Sequence, residues 1–183
     1  MIVGITGYAG SGKDTAADYL VSKYGYERRG LADPIRQALY ALNPQVAVGQ
    51  TLRVVVDWIG WDGAKRQFPE VRRLLQVFGT EVGRETFGSE FWLNLFDDWL
   101  YERSPTYQRN VVVPDVRFKN EAEFLKTNYG AKLLHITRQG VEALNSHASE
   151  AGGLDAYVTH TIQNDSTIQA LHAKIDLMME GLG

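Results

Sequence analysis

The first twenty residues constrain the fold more than any other stretch of the chain. An apolar run at residues 2–6 leads into a glycine-rich loop, and helix-like residues follow at 16–20. The loop reads Gly7-Tyr8-Ala9-Gly10-Ser11-Gly12-Lys13-Asp14-Thr15. Glycines at this spacing let backbone N–H groups turn inward around an anion, which the lysine and the helix N-terminus also face. The order strand, phosphate-binding loop, helix predicts a nucleotide-binding α/β protein.

The same loop supplies candidate ligands for the donor phosphates. They are Gly10, Ser11, Gly12, Lys13, Asp14 and Thr15. Asp14 stands where the usual pattern has a hydroxyl that binds magnesium. A carboxylate is also a hard oxygen ligand, so Asp14 is a candidate ligand for Mg²⁺. The alternative is a glycine-rich turn that only caps a helix.

The composition narrows the class of protein. The chain has 183 residues, 44% apolar and 22% charged, as expected for one globular domain. A net charge of −3 gives no general attraction to nucleic acid or to a membrane, so we expect small-molecule nucleotides as partners. The absence of cysteine excludes thiolate chemistry, and no leader or membrane span is recognised, which together predict a cytoplasmic protein. A homodimer is left open.

Strand-like and helix-like segments alternate along the chain. Strands are predicted at about 2–6, 26–31, 111–113, 132–137 and 158–162. Helices are predicted at about 13–24, 33–42, 51–60, 70–87, 90–103, 119–129 and 167–180. This alternation indicates a three-layer α/β/α sandwich with a parallel sheet. We predict one domain with a core at about 1–42 and 105–183, a helical insertion at about 43–104 and a short lid at about 138–153.

Asp115 and Arg117 follow the buried-type strand at residues 111–113. Ligands of parallel sheets bind at the carboxyl ends of the strands, and an acid there can hold magnesium, its waters or a substrate hydroxyl. Asp115 is therefore a candidate catalytic, substrate-binding and metal-binding residue. The alternative is that Asp115 caps the next helix or pairs with Arg117.

The segment Asp115-Val116-Arg117-Phe118-Lys119-Asn120-Glu121 resembles a motif of the viral deoxynucleoside monophosphate kinases. Further blocks resemble that family in the same order, at residues 11–18, 31–36, 74–84, 91–92, 147–150 and 162–166. The resemblance implies a P-loop kinase fold in which the helical insertion binds the acceptor. It also implies transfer of the terminal phosphoryl group of ATP to a deoxynucleoside 5′-monophosphate, giving the diphosphate. Ser166 is a departure, because similar kinases often carry glycine there.

The resemblance also implies which residues bind the acceptor nucleotide. It implies that Arg84 meets the acceptor phosphate, and Arg36 and Arg117 are further candidates because a guanidinium fork matches phosphate geometry. A surface ion pair is the alternative for Arg84, and a solvated charge for Arg36. Trp92 is a candidate for stacking on the acceptor base, although aromatic residues at helical spacing are more often core.

The remaining candidates follow the last strands. Arg138 begins the predicted lid and is expected to stabilise charge on the transferring group, together with Lys13. Glu150 lies in the lid and is a candidate to order it or to contact substrate. Asn164 suits the adenine side of the donor pocket, and a local turn is an equally good explanation. Alternative functions are a kinase of another metabolite, such as dephospho-coenzyme A, or a nucleotide-dependent ATPase or switch.

Overall fold

The computed structural model describes residues 1–103, 109–141 and 153–182. Its strands are β1 (Ile2–Thr6), β2 (Glu27–Arg28), β3 (Gln45–Ala47), β4 (Gln50–Thr51), β5 (Val111–Val113), β6 (Lys132–Thr137) and β7 (His160–Gln163). Its helices are α1 (Lys13–Tyr24), α2 (Asp33–Leu42), α3 (Leu52–Gln67), α4 (Pro69–Val77), a π-helix (Phe78–Thr86), α5 (Phe91–Arg103), α6 (Lys119–Tyr129) and α7 (Ile168–Leu182).

A parallel five-stranded sheet organises the first part of the fold. Its order is β2-β5-β1-β6-β7, so β1 is central and pairs with β5 and β6. Every residue of β1 and β5 is buried, as expected for strands covered on both faces. The sheet confirms the predicted parallel α/β class and places the ends of β1 and β5 at one edge.

Two compact units divide the chain. The first unit comprises Met1–Leu31 and Trp99–Gly183, and the second comprises Ala32–Asp98. In the first unit, Leu20 of α1 and Ile175 of α7 pack against sheet residues such as Val3. The alternate strand positions face α6, because a Cβ on Gly4 would lie 3.6 Å from Cδ1 of Leu125. Helices therefore cover both faces of the sheet.

A carboxylate joins α7 to α1 in the first unit. The Asp176 carboxylate forms an ion pair with Lys23 at 2.8 Å and accepts hydrogen bonds from the hydroxyls of Tyr19 and Tyr24. The Lys23 ammonium first, and then the Tyr24 hydroxyl, lower the pKa of Asp176 to about 2. Tyr19 also stacks on the ring of His172, with centroids 3.7 Å apart. Polar and aromatic contacts thus hold α7 on α1.

The second unit has its own apolar core. Residues of α2, β3, α3, α4 and α5 meet there, namely Ile35, Leu39, Val46, Leu52, Val55, Ala64, Val71 and Trp92. Because Ile35 and Leu39 pack into this cluster, α2 groups with the second unit. The unit therefore begins about ten residues before the predicted start of the helical insertion at 43.

The structure differs from the predicted elements at several places. A short antiparallel ribbon, β3 with β4, turns at Gly49, whose φ is 71°, within the stretch predicted to be helical. α3 is two helical segments joined across a kink at Gly60, which adopts the non-helical values φ 68° and ψ 169°. The helix predicted over 51–60 therefore ends where expected, and a second segment that was not predicted runs on to residue 67. The predicted strand at 26–31 is only Glu27–Arg28, and the helix predicted over 70–87 is α4 followed by the π-helix.

Candidate nucleotide-binding site

The loop between β1 and α1 has the backbone that the glycines predict. Gly10 and Gly12 adopt positive φ values of 84° and 106°, and Gly12 caps α1 without a side-chain hydrogen bond. The first N–H groups of α1 therefore have no capping side chain, which leaves them for an anion. Gly7 is packed tightly, since a Cβ there would lie 2.2 Å from the Ile136 carbonyl oxygen of β6.

Ser11 and Lys13 fit a phosphate group. Ser11 is 1% exposed, and its hydroxyl has no hydrogen-bond partner in the described part of the chain. A buried hydroxyl without a partner is unfavourable, and a phosphate oxygen would supply the missing acceptor. The Lys13 ammonium donates to the Tyr8 carbonyl oxygen at 2.7 Å, so it lies against the same loop. The loop is thus suited to polyphosphate.

Asn164 braces this loop from the end of β7. Its side-chain amide donates to the Ser11 carbonyl oxygen at 2.8 Å, and its backbone N–H donates to the Thr137 carbonyl oxygen at 2.7 Å. A Cβ on Gly12 would lie 2.4 Å from the Asn164 side-chain nitrogen. The structure therefore brings Asn164 to the phosphate-binding loop, and its predicted contact with adenine stays a prediction.

Asp115 and Arg117 lie just beyond β5, beside the central strand. The Asp115 carboxylate accepts the backbone N–H of Leu31 at 2.8 Å. The buried Glu121 carboxylate accepts the N–H groups of Arg117 and Phe118 at 2.8 and 3.0 Å. Glu121 thereby fixes the backbone that carries Arg117. An acid at the third position of a helix is typical of this capping role, so the role could be predicted once the start of α6 is known.

A cleft of about 150 Å³ joins the loop to these strand ends. It is lined by Thr6, Gly7, Tyr8, Ala9, Lys13, Val116, Arg117, His135, Gly153, Leu154 and Asp155. Lys13 and Arg117 give it two cationic side chains. No sequence pattern marks His135 or Asp155 as a candidate site residue. His135 could have been found only from the pairing of β6 with β1, in which it lies opposite Thr6.

The Asp14 side chain forms an ion pair with a basic residue of the same unit. Its carboxylate forms an ion pair with Arg28, which also pairs with Asp18 one turn further along α1. In the described ranges, no three His, Cys, Asp or Glu side chains lie close enough to share a metal ion. Asp14 and Asp115 are the carboxylates that could serve as ligands here, and Mg²⁺ at nucleotide sites is usually held by one or two carboxylates with phosphate oxygens and water.

Three of the predicted acceptor-side residues, Arg36, Arg84 and Trp92, belong to the second unit. Arg36 forms an ion pair with Asp33 at 2.9 Å, and its Nε is buried without a hydrogen-bond partner among the described residues. Arg84 is half-buried in the π-helix, an element that is rare and often found at functional sites. Trp92 is buried, and its indole N–H donates to the Gly79 carbonyl oxygen at 2.8 Å. This placement favours the core alternative for Trp92.

The predicted lid is described only at its ends. Arg138 directly follows β6, and its side chain is exposed. Its carbonyl oxygen accepts the N–H of Val141 at 3.2 Å. Glu150 lies outside the described residues. The structure therefore places Arg138 at the loop-bearing edge of the sheet.

The sheet order, the phosphate-binding loop after the central strand and the acid after its neighbour define a P-loop kinase fold. A solved sugar kinase from Janibacter sp. shares this fold, with a TM-score of 0.54 and 12% identity over 98% of this chain and 94% of that one. The chain belongs to the deoxynucleotide monophosphate kinase family, whose model matches residues 65–175.

Viral proteins are similar to this chain. A protein of Acanthamoeba polyphaga mimivirus, provisionally named a deoxynucleotide monophosphate kinase, is 29% identical over 96% of this chain and 94% of its own length. The kinase of Escherichia phage T5 is 30% identical over 78% of this chain and 56% of its own length. That of Enterobacteria phage T4 is 32% identical over 57% and 43%. The chain thus spans about half of these phage relatives.

Among the described helices, none has the length and hydropathy to cross a membrane.

Proposed function

We propose that this protein transfers the terminal phosphoryl group of ATP to a deoxynucleoside 5′-monophosphate. An oxygen of the acceptor phosphate attacks the γ-phosphorus, the bond to the β,γ-bridging oxygen breaks, and ADP leaves as the deoxynucleoside diphosphate forms. The acceptor oxygen is already ionised near neutral pH, so no strong general base is required. The observation that carries the proposal is the phosphate-binding loop with its buried, unpartnered Ser11 hydroxyl, in a chain of this kinase family.

The loop residues would bind and orient the donor. We propose that the backbone N–H groups around Gly10 and Gly12, the Ser11 hydroxyl and the Lys13 ammonium bind one anion together. The cap at Gly12 without a side chain, the unpartnered Ser11 hydroxyl and the position of Lys13 against the loop support this. Such donors, fixed before the reaction, stabilise charge on the phosphates without reorganising during it. Asn164 keeps the loop in this shape through its bond to the Ser11 carbonyl oxygen.

Asp14 and Asp115 are the residues that would hold magnesium or its waters. Bound Mg²⁺ would supply neutralisation of the phosphate charge. Asp115 suits this role because it follows the strand next to β1. Asp14 suits it less directly, since its carboxylate already pairs with Arg28.

Arginines would bind the acceptor and stabilise the transferring group. Arg36, Arg84 and Arg117 are each proposed to bind the acceptor phosphate. Arg138 is proposed to neutralise charge on the transferring phosphoryl group, which helps to favour the acceptor over water. The unpartnered Nε of Arg36 supports its part, because an anion would satisfy it.

The test is ADP formation from ATP and Mg²⁺ with each of the four deoxynucleoside monophosphates supplied separately. We expect turnover that needs a monophosphate and falls about 100-fold or more in Lys13→Ala, since removing one charge-stabilising group has effects of that order. Lys126→Ala, which changes an exposed lysine of α6, is the matched control and should behave as the parent. ATP consumption that no monophosphate affects would indicate an ATPase instead. Absence of any turnover would favour another acceptor, such as dephospho-coenzyme A.

A further inference from the structure

Arg28 connects β2 to the helix that follows the phosphate-binding loop. One guanidinium nitrogen pairs with the Asp14 carboxylate, and the other terminal nitrogen pairs with Asp18. The two acids lie four residues apart on α1 and therefore share one helix face. A single arginine thus serves two carboxylates, the first of which directly follows the loop lysine.

The surroundings hold Arg28 in this position. β2 pairs with β5 in parallel, with Arg28 opposite Val112, so the backbone of Arg28 is fixed by the sheet. Its side chain is 34% exposed, about half as much as the Asp14 and Asp18 side chains at 65% and 68%. Burial lowers the pKa of Arg28, but the carboxylates of Asp14 and Asp18 outweigh it and raise that pKa above its usual value. Arg28 is therefore a permanent cation at this face.

We propose that Arg28 is a positioning residue of the donor site, which neutralises Asp14 so that an anionic nucleotide can enter the adjacent loop. The inference rests on the proposed function, because it takes the loop as the site of ATP. An unpaired Asp14 carboxylate would repel the phosphates, which carry the same sign of charge. The effect should be largest without a divalent ion, since Mg²⁺ itself neutralises phosphate charge. Asp18, one turn away, should matter less because repulsion falls with distance.

The experiment measures ATP binding to the full chain by calorimetry at low ionic strength, once in EDTA and once with Mg²⁺. We expect Arg28→Gln to weaken metal-free binding by about three- to tenfold, the range for one partly screened charge. With Mg²⁺ the loss should shrink to about twofold or less. Raising the salt concentration should also reduce it, because salt screens exposed charges.

Second-site changes test whether the effect passes through Asp14. Adding Asp14→Asn to the Arg28→Gln protein removes the repelling charge and should restore metal-free binding. Adding Asp18→Asn instead is the matched control, since it removes the other partner of the same arginine. It should restore less than half of the loss. Circular dichroism and thermal melting of every variant show whether it is folded.

The outcomes separate this inference from the proposed function. Parent protein that binds no ATP would overturn both. Parent protein that binds ATP, with a folded Arg28→Gln variant of equal metal-free affinity, would overturn the inference alone. Equal restoration by Asp14→Asn and Asp18→Asn would reduce Arg28 to a clamp between β2 and α1. If Arg28→Gln does not fold, Arg28→Lys keeps the charge. Retained metal-free binding then supports the inference, and a loss contradicts it.

Discussion

The Arg36 guanidinium gives a direct test of the acceptor side. We expect Arg36→Ala to raise the KM for the deoxynucleoside monophosphate by about 10- to 100-fold, which follows from losing one charge-assisted hydrogen bond of about 1.5–3 kcal/mol. The KM for ATP should change by no more than about twofold. The physical reason is that Arg36 has a buried Nε without a partner among the described residues, and a bound phosphate would satisfy it.

The magnitude follows from the burial of Arg36. Its side chain is 31% exposed and keeps one terminal nitrogen 2.9 Å from Asp33, so part of its charge is already paired. A fully buried guanidinium would give the upper end of the range, and water contact at this exposure moves the expectation towards the middle. Each factor of ten in KM corresponds to about 1.4 kcal/mol.

The chain offers a matched control at Arg73. Arg73 also pairs with an acid three residues earlier, Glu70, at 2.7 Å, but it is 60% exposed and its Nε donates to the same carboxylate at 2.8 Å. Initial rates with the monophosphate varied at saturating ATP should show a normal KM in Arg73→Ala. Equal KM values for the Arg36→Ala and Arg73→Ala proteins would refute the reasoning, and thermal melting shows that both variants are folded.

Three further changes test the fold. Gly7→Ala should destabilise the protein by about 1–3 kcal/mol more than Gly10→Ala in urea unfolding, because both strain a positive φ but only the Gly7 change meets a β6 carbonyl oxygen. Equal losses would contradict this. Trp92→Phe removes the hydrogen bond to the π-helix and should lower the free energy of unfolding by about 1 kcal/mol, also measured by urea unfolding. Lys23 chiefly holds the pKa of Asp176 at about 2, below its ordinary 3.8. The ionised Asp176 carboxylate therefore stabilises the folded protein above pH 3.8, and this contribution is lost as the pH falls through about 2. Asp176→Asn should therefore flatten the loss of helical circular dichroism over that interval.

The local patterns at the start of the chain predict the donor loop well. The apolar strand, the glycines at positive φ and the helix after Lys13 are all determined within about twenty residues, so one sequence suffices. The strand Val111–Val113 was equally clear, because a run of valines suits a strand buried on both faces. The end of that strand then located Asp115.

Contacts that depend on strand pairing cannot be predicted from one sequence. The partners of Arg28 depend on where β2 meets β5, and the position of His135 depends on where β6 meets β1. The π-helix was also hidden, since apolar spacing over nine residues does not distinguish it from an α-helix. The close packing against this element, where a Cβ on Gly83 would lie 2.2 Å from the Trp92 indole nitrogen, is also not visible in the sequence.

The central place of β1 has a consequence for how the chain folds. This strand precedes its partners, because Ile2 pairs with Val111 and Val3 with Lys132, so both neighbours lie more than a hundred residues further along the chain. Closing such long loops before any pairing is gained slows folding. The second unit, Ala32–Asp98, packs mainly with itself and can fold before β1 has paired with its neighbours. The apolar strand β1 is therefore exposed to solvent for a long interval during folding, which makes aggregation a risk. Chaperones that bind this strand should raise the yield of folded protein.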